Sequence, residues 1–440
     1  MKRNKEQSTI FTFIFVCISC VLFLSFAEGI IRNPSGPQRL VFFRGMGDFF
    51  ADFFNVLRYI AGRDPYFDKN VRYGQMGGLP IGALILYPFS KLDNFSMMTL
   101  QETWNSKMGL MSAFLFIGFS VFLLFSALNK IIKKYSISPA VLISLVLSSV
   151  CLFSVERGNS VILSAAFISI FICYYDSDNK YERILASISL AFAATMKIYP
   201  VLFGFLYFEK KQYRDIFVSA IITIFLAFFP FLFFKRGFAN IPRMIELVFQ
   251  GREMYNFTKS FPRFSVPHLI YKILITYNLS MEEILKIVNL TRIITVLFVF
   301  VSIIFSCLIH NKWQNISLLS MVVLFFPVSS GLYCGLYLFP VIIIFFATLD
   351  ERPEIFNIFT MIVFIIFINP YQIMSKQGVS MNYILVNIAL LTLWIVLLIY
   401  SGRQIIASKI IFTIKADVTG KIGVVKNLLF QNKRKIYNIK

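Results

Sequence analysis

The sequence predicts an all-α polytopic membrane protein, a bundle of about twelve transmembrane helices with a long first outer loop. Of its 440 residues, 58% are hydrophobic and only 15% are charged, which is too little polar surface for a soluble protein of this size. Apolar runs of roughly 17 to 25 residues recur along nearly the whole chain, as bilayer-spanning helices require. Basic residues cluster at every second connection, which is the pattern of the positive-inside rule.

The N-terminus provides the first predicted span. Residues 1–5 are basic, and an apolar run follows from about residue 9 to residue 31. The run resembles a signal peptide, but it is long and lacks a clear cleavage site of small residues. We therefore expect an uncleaved first span with a cytoplasmic N-terminus.

A polar and aromatic loop, residues 32–107, follows the first span. Its apolar segment 79–89 is too short to cross a bilayer, so we predict an interfacial or re-entrant piece. Further spans are expected near residues 108–129, 138–155, 160–175, 184–196, 199–208, 216–234, 293–309, 314–329, 333–348, 355–369 and 383–400.

The charge of the connections predicts the orientation. Basic clusters on the side shared with the N-terminus occur at 130–134, 180–183, 210–214 and 310–312. This side is predicted to be cytoplasmic. Residues 401–440 carry nine Lys or Arg against one Asp, so we expect a basic cytoplasmic tail after a multi-span membrane domain of residues 1–400. The composition, rich in Ile, Lys, Phe and Asn, favours a bacterial source and the bacterial cytoplasmic membrane.

Two long loops on the opposite side, residues 32–107 and about 235–292, are also basic. They fit an outer face that handles an anionic lipid-linked substrate; the alternative is that long loops do not follow the positive-inside rule. The net charge of +21 would suggest nucleic acid in a soluble protein. Here cytoplasmic loops and lipid phosphates account for it, so no nucleic-acid partner is expected.

Neither a metal nor a cofactor is expected. The six cysteines lie nearly all within apolar spans or at their ends, only two histidines exist, and no pair of cysteines has zinc-like spacing. The cysteines are predicted to be buried free thiols. A Walker A loop and an HExxH motif are both missing, which argues against nucleotide hydrolysis and against a metalloprotease.

The segment 47–66, directly after the first span, is the most informative. Asp48 and Asp52 lie four residues apart, so in a helix both carboxylates would share one face. Carboxylates beside a bilayer are costly to desolvate and often act in a watery cavity. Sugar transfer to a hydroxyl needs one general base, which either aspartate could supply while the other orients the acceptor or a metal. The alternative is that both are solvated or paired with Arg44 or Arg58.

Three further motifs carry cations suited to a phosphate. Arg157 offers a bidentate fork in a tight turn before Asn159; the alternative is an ordinary Arg–Glu turn. Lys197, between two apolar stretches, must face water, an anion or a headgroup, although it could simply snorkel to the surface. Arg263 and His268 flank a proline-fixed turn in the second outer loop, where a lipid phosphate could bind.

These motifs resemble those of the GT-C glycosyltransferases, and in particular glycosyltransferase family 87, which uses polyprenol-phosphate sugars. The resemblance lies in Asp-Phe at Asp48, Gly-x-Asp-Pro-Tyr at 62–66 and Lys-x-Tyr-Pro at 197–200, with 157–159 similar to a looser Gly-x-x-Asn turn. It is clear over residues 44–66 and 190–215 and faint beyond about 240. The chain departs from the family at 78–80, where a Tyr-Pro-Pro element is commoner.

The resemblance implies a GT-C-like bundle with a substrate cavity at the outer leaflet, a polyprenyl-phosphate sugar donor, inversion and no essential metal. The family's catalytic aspartate corresponds to Asp48, with Asp52 as the alternative in a shifted register. The residues expected to bind the substrate or its phosphate are Arg157, Asn159, Lys197, Tyr199, Arg263 and His268. The expected function is transfer of a mannose-like hexose to an envelope glycan or glycolipid on the outer face.

Two other functions remain open. A membrane polysaccharide polymerase or ligase would have its main basic site in a late loop and would not need Asp48. A lipid-linked glycan transporter or flippase would show internal repeats and polar residues at the midplane, which the sequence lacks.

Overall fold

The computed structural model describes residues 2–33, 35, 49–62, 64–67, 78–254, 263–275, 277, 279–327, 330–373 and 381–407. Within these residues the secondary structure is helical, and the only β-type pairing is an isolated antiparallel bridge between Arg263 and Gly331. The predicted all-α fold class is therefore confirmed. Asp48 and the basic tail beyond residue 407 lie outside the described residues.

The α-helices of the described residues are numbered here in chain order. They are α1 (Lys2–Arg32), α2 (Ala51–Ala61), α3 (Pro80–Ser90), α4 (Leu100–Asn105), α5 (Lys107–Tyr135), α6 (Val141–Val146), α7 (Ser149–Arg157), α8 (Val161–Tyr174), α9 (Lys180–Met196), α10 (Phe205–Glu209), α11 (Tyr213–Phe228), α12 (Asn240–Met254), α13 (Val266–Leu274), α14 (Met281–Leu308), α15 (Lys312–Phe325), α16 (Phe339–Ala347), α17 (Glu354–Ile368) and α18 (Met381–Ala407).

Five helices are long and apolar enough to cross a bilayer. They are Ser8–Arg32, Lys107–Tyr135, Tyr213–Phe233, Met281–Leu308 and Met381–Ala407. Large apolar side chains on their outer faces, such as Phe122, Phe217 and Phe300, are at least 60% exposed, as lipid-facing residues should be. The chain is thus a multi-pass membrane protein. Other predicted spans fall on shorter apolar helices such as α8 and α17, and the count of about twelve stays a prediction.

One predicted span is interrupted by a break. The span predicted at 138–155 is two helices, α6 and α7, and the Ser148 side chain caps the second by accepting a hydrogen bond from the Cys151 N–H. The gap predicted between the spans 184–196 and 199–208 is a break at Lys197, which separates α9 from a 3-10 turn and α10. Hydropathy alone does not reveal the break at Ser148, because this serine lies in a run that is otherwise mostly apolar.

The outer loops contain more helix than the sequence suggested. The short apolar segment predicted at 79–89 forms α3 (Pro80–Ser90), and the second loop contains α12 and α13. Helix α14 begins at Met281, well before the predicted residue 293, because Ser280 and Glu283 form a capping box there.

The core lies around α15 and the segment that follows it. Every residue of α15 from Trp313 to Phe325 is buried, including polar side chains such as Gln314 and Ser317. The six cysteines are free, as predicted, but only Cys151, Cys173 and Cys334 are buried.

Ion pairs join helix termini at one end of the bundle. Asp176, just after α8, accepts from Lys312 at 2.6 Å and from Lys134 at 3.2 Å. The two lysines lie at the start of α15 and the end of α5, in two of the basic clusters predicted to be cytoplasmic. Burial alone would raise the pKa of Asp176, but the two lysines outweigh burial and hold the pKa below its ordinary value.

Replacing Asp176 should loosen this end of the bundle. We expect Asp176→Asn to lower the free energy of unfolding by about 2 kcal/mol, less than a fully buried pair would lose because Lys134 is partly exposed. Because the folded pKa lies below the unfolded one, this stabilisation is present at neutral pH and is lost below about pH 4. Thermal unfolding in detergent would measure it. The exposed Asp178→Asn is the control, and equal effects of the two substitutions would contradict the prediction.

Candidate functional site

Helix α2 carries the one aspartate of the predicted pair that the structure describes. Asp52 lies in the first turn of α2, where the helix dipole favours a carboxylate. The helix begins directly after Phe50, whose φ of 55° is left-handed. Because Asp48 lies outside the described residues, the expectation that both carboxylates share one helix face stays a prediction.

Two side chains from the junction of α7 and α8 hold Asp52. Arg157 Nη2 donates to Asp52 Oδ1 at 2.6 Å, and Asn159 Nδ2 donates to Oδ2 at 2.6 Å. Charge-assisted hydrogen bonds of this kind are about twice as strong as neutral ones. The side chain of Asp52 is 26% exposed and that of Arg157 is 16% exposed, so the pair is partly shielded from water. Three residues predicted separately thus form one group, named here the Asp52 cluster (Asp52, Arg157 and Asn159).

The orientation of Asn159 is fixed by a second contact. Its Oδ1 accepts a hydrogen bond from the Val161 N–H at 2.9 Å, at the start of α8. The amide nitrogen must then point away from that N–H, toward Asp52. Asn159 therefore ties the acidic loop to the beginning of α8.

A glycine shapes the turn that carries Arg157 and Asn159. Gly158 has a left-handed φ of 62°, and its N–H donates to Val155 O at 3.0 Å while the Asn159 N–H donates to Ser154 O at 3.2 Å. This pattern is the Schellman motif, which ends a helix at a glycine.

The same glycine allows α2 to approach α7 closely. A Cβ added to Gly158 would lie 3.0 Å from Phe53 Cβ and 3.3 Å from Phe50 Cα. The Phe50 N–H also donates to the Glu156 carbonyl at 2.7 Å. The start of α2 and the end of α7 are therefore joined through both backbone and side chains.

Lys197 and Tyr199 lie at the break after α9. Lys197 is half-buried with an extended backbone, and among the described residues its ammonium has no carboxylate partner. The Tyr199 hydroxyl lies 3.2 Å from Cys334 Sγ, so its polar atom already has a protein partner.

Arg263 and His268 both contact Tyr383. Both residues are 1% exposed. The Arg263 N–H donates to the Tyr383 hydroxyl, and the His268 ring lies 6.3 Å from the Tyr383 ring. Asp52, whose described hydrogen bonds go to Arg157 and Asn159, contacts neither of them nor Lys197 by a described hydrogen bond or ion pair.

A segment that the sequence analysis did not select connects these groups. In residues 331–338, Gly331 forms the isolated β-bridge with Arg263, and Cys334 contacts the Tyr199 hydroxyl. The ring of Tyr333 stacks on that of Phe153 in α7, with ring centroids 6.2 Å apart. The amino-acid composition of this segment is the sequence feature that could have identified it. Gly and Tyr recur there in a region otherwise rich in Ile, Val and Phe.

Arg236 is a second residue that the sequence did not indicate as part of the site. Its Nε lies 3.2 Å from Oδ2 of the buried Asp64, and its guanidinium lies 4.1 Å from the centroid of the Phe67 ring. Tyr66 packs nearby against Phe231, with ring centroids 6.2 Å apart. The Gly-x-Asp-Pro-Tyr motif is thus anchored to the end of α11. The sequence signal was weak, because a basic residue after an apolar span usually marks only the membrane surface.

The chemistry of these groups is that of anion binding and proton transfer. They provide an oriented carboxylate, a half-buried lysine and buried cations. Among the described residues, no group of three or more His, Cys, Asp or Glu side chains could hold a metal ion.

Comparison with known proteins gives one match. The sequence model of glycosyltransferase family 87 matches residues 80–331, which is more than half of the chain. The matched region contains Arg157, Asn159, Lys197 and Arg263, whereas Asp52 precedes it. No curated protein matches the chain.

Replacing Gly158 should disturb the Asp52 cluster, because the turn that carries Arg157 and Asn159 is built on this glycine. We expect Gly158→Ala to cost about 1–2 kcal/mol for the left-handed backbone alone, with a further loss from the close contacts to α2. Gly118→Ala in α5 is the matched control, since an added Cβ there meets nothing within 4 Å. Thermal unfolding of both variants in detergent would measure the difference. A Gly158→Ala protein as stable as Gly118→Ala would contradict this geometry.

Removing Arg236 should release the Gly-x-Asp-Pro-Tyr motif. We expect Arg236→Ala to destabilise the protein by about 0.5–1 kcal/mol, since Arg236 is half exposed, and to speed amide exchange at Tyr66 and Phe67. Arg236→Lys should restore part of the protection because it keeps the charge. Lys235→Ala, which removes the adjacent exposed cation, is the control. Unchanged exchange in Arg236→Ala would argue against the anchor.

Proposed function

Because the chain belongs to glycosyltransferase family 87, we propose that this membrane glycosyltransferase moves a mannose-like hexose from a polyprenyl-phosphate donor to an envelope glycan or glycolipid. The acceptor would lie at the outer face of the bacterial cytoplasmic membrane. The observation that most supports this proposal is the Asp52 cluster, because it orients a carboxylate between an outer-loop helix and the membrane bundle.

A lipid-linked donor fits the architecture. The protein is embedded in the bilayer through long apolar helices, and a donor with a polyprenyl chain is held in the same bilayer. Residues 32–107 contain no Asp-x-Asp pair, so the sequence gives no sign of a nucleotide sugar held through a divalent metal.

We assign the general base to Asp48 and a positioning role to Asp52. Both carboxylate oxygens of Asp52 already accept short hydrogen bonds, so Asp52 is better suited to hold α2 against the bundle. The base takes the proton of the acceptor hydroxyl as the hydroxyl oxygen bonds to the sugar C1 from the opposite face, which inverts the configuration. The bond from C1 to the phosphate oxygen breaks, and its electron pair leaves with the polyprenyl phosphate.

Cations would stabilise the leaving phosphate. Lys197 is the first candidate, because its half-buried ammonium has no carboxylate partner among the described residues. Arg157 shares its charge with Asp52, so it would reach the phosphate only with N–H groups that Asp52 does not use. We assign Asn159 and Tyr199 to shaping this region, and the buried Arg263 and His268 to supporting it.

Activity of purified protein in nanodiscs would test the assignment. The substrates are polyprenyl-phosphate hexoses with a membrane glycolipid extract, and the measured quantity is release of polyprenyl phosphate. We expect Asp48→Asn to reduce kcat by about 10²–10⁴, as loss of a general base does. Asp52→Asn should cost less, and the double variant Asp52→Asn with Arg157→Gln should be about as active as Arg157→Gln alone, because the two residues act as one unit. Asp178→Asn at the other end of the bundle is the control.

Other results would redirect the proposal. Loss of transfer only in Asp52→Asn would move the base to Asp52. Transfer that survives both substitutions would favour a polysaccharide polymerase or ligase. No transfer from any polyprenyl-phosphate hexose would contradict the proposed donor class.

A further inference from the structure

Helix α12 follows the span Tyr213–Phe233 and has one wide apolar stripe. Ile241, Met244 and Leu247 pack against the core of the protein. Ile245, Val248 and Phe249 form the open face, the edge of this stripe that the protein leaves exposed, with exposed fractions of 46%, 43% and 58%. The helix therefore carries more apolar surface than the fold itself covers.

The open face continues the lipid-facing surface of the span before it. Leu232 and Phe233, at the end of the span Tyr213–Phe233, are 63% and 58% exposed. Phe238 is 51% exposed, and it lies between this span and the open face of α12. Exposed apolar side chains thus recur along the chain from a membrane-spanning helix to α12, which makes lipid the occupant that fits them.

The charges of the same segment exclude the hydrocarbon core of the bilayer. Residues 235–249 contain three basic side chains, Lys235, Arg236 and Arg243, and a single acidic one, Glu246. Glu246 is half exposed on the polar side of α12 and pairs with Arg243 at 2.6 Å. Such side chains are costly within hydrocarbon but are stable among headgroups. Arg236 and Arg243 pair with carboxylates of the protein, so the exposed Lys235 is the basic group that an anionic headgroup would meet.

We propose that α12 lies flat in the headgroup region of an anionic membrane surface, with Ile245, Val248 and Phe249 turned toward the acyl chains. Amphipathic helices of this kind sit roughly 5–10 Å into the boundary between headgroups and acyl chains. Arg236, just before α12, holds Asp64 of the first outer loop. The lipid-bound segment thus fixes one anchor of that loop at the membrane surface. The proposal does not depend on the identity of the transferred sugar.

Depth-dependent quenching in the full chain would test the proposal. A bimane fluorophore is attached at Val248→Cys or Phe249→Cys, and the protein is placed in nanodiscs that contain phosphatidylglycerol. Both positions are exposed, so neither substitution removes a packed core side chain. We expect lipids brominated near the headgroup to quench both probes more strongly than lipids brominated deep in the chain. Wild-type protein treated in the same way gives the background from the native cysteines.

Two matched positions act as controls. A probe at Glu246→Cys should be quenched by iodide in water and weakly by either lipid. A probe at Ile224→Cys, 60% exposed near the middle of the span Tyr213–Phe233, should be quenched most by the deeply brominated lipid. In discs of phosphatidylcholine alone, shallow quenching at Val248 and Phe249 should fall, and Lys235→Gln should reduce the dependence on anionic lipid.

Four results would overturn the proposal. Iodide quenching at Val248 and Phe249 equal to that at Glu246 would mean that the face is turned to water. Quenching mainly by deeply brominated lipid would mean that α12 is inserted deeper than the interface. Protection from both quenchers only in discs that hold two copies would mean that a second chain covers the face. Equal quenching with and without phosphatidylglycerol would overturn the anionic assignment.

Discussion

The region around Asp52 depends on the contact between the start of α2 and the end of α7. A glycine without a side chain lets the two helix ends meet, and one carboxylate then accepts from an arginine and an asparagine of the facing turn. The helix dipoles favour this arrangement, since Asp52 lies at a helix N-terminus and Arg157 at a helix C-terminus. The position of α2 relative to the bundle follows from this contact.

Carboxylates play the same mechanical role at both ends of the bundle. Asp176 joins the termini of α5, α8 and α15 at one end, and Asp52 and Asp64 join an outer loop to the bundle at the other. In a bundle with so much apolar surface, hydrophobic contacts are plentiful but interchangeable. Hydrogen-bonded charges have strict geometry, so they define which helix ends meet. The fold therefore combines an apolar interior with specific ionic contacts near the membrane surfaces.

The sequence predicted the fold class and several site residues, but not how these residues meet. Apolar runs are sufficient to identify membrane helices, and motif chemistry selected Asp52, Arg157 and Asn159 separately. Nothing local indicates that a loop residue pairs with a turn more than a hundred residues away. The break at Ser148 was missed because a serine cap changes the backbone inside an otherwise apolar run, whereas the gap at Lys197 was predicted between two spans. Arg236 was missed because its partner lies on a distant loop.

The separation of Asp52 from its partners along the chain affects how the protein is made. Arg157 follows Asp52 by 105 residues, and ribosomes add roughly 5–20 residues per second. Asp52 is therefore added to the chain roughly 5–20 s before its arginine. During that interval Asp52 lacks its arginine, and insertion of α7 into the membrane supplies it. The nascent chain thus carries Asp52 without this contact until its third apolar stretch has been inserted, and Asp64 waits longer still for Arg236.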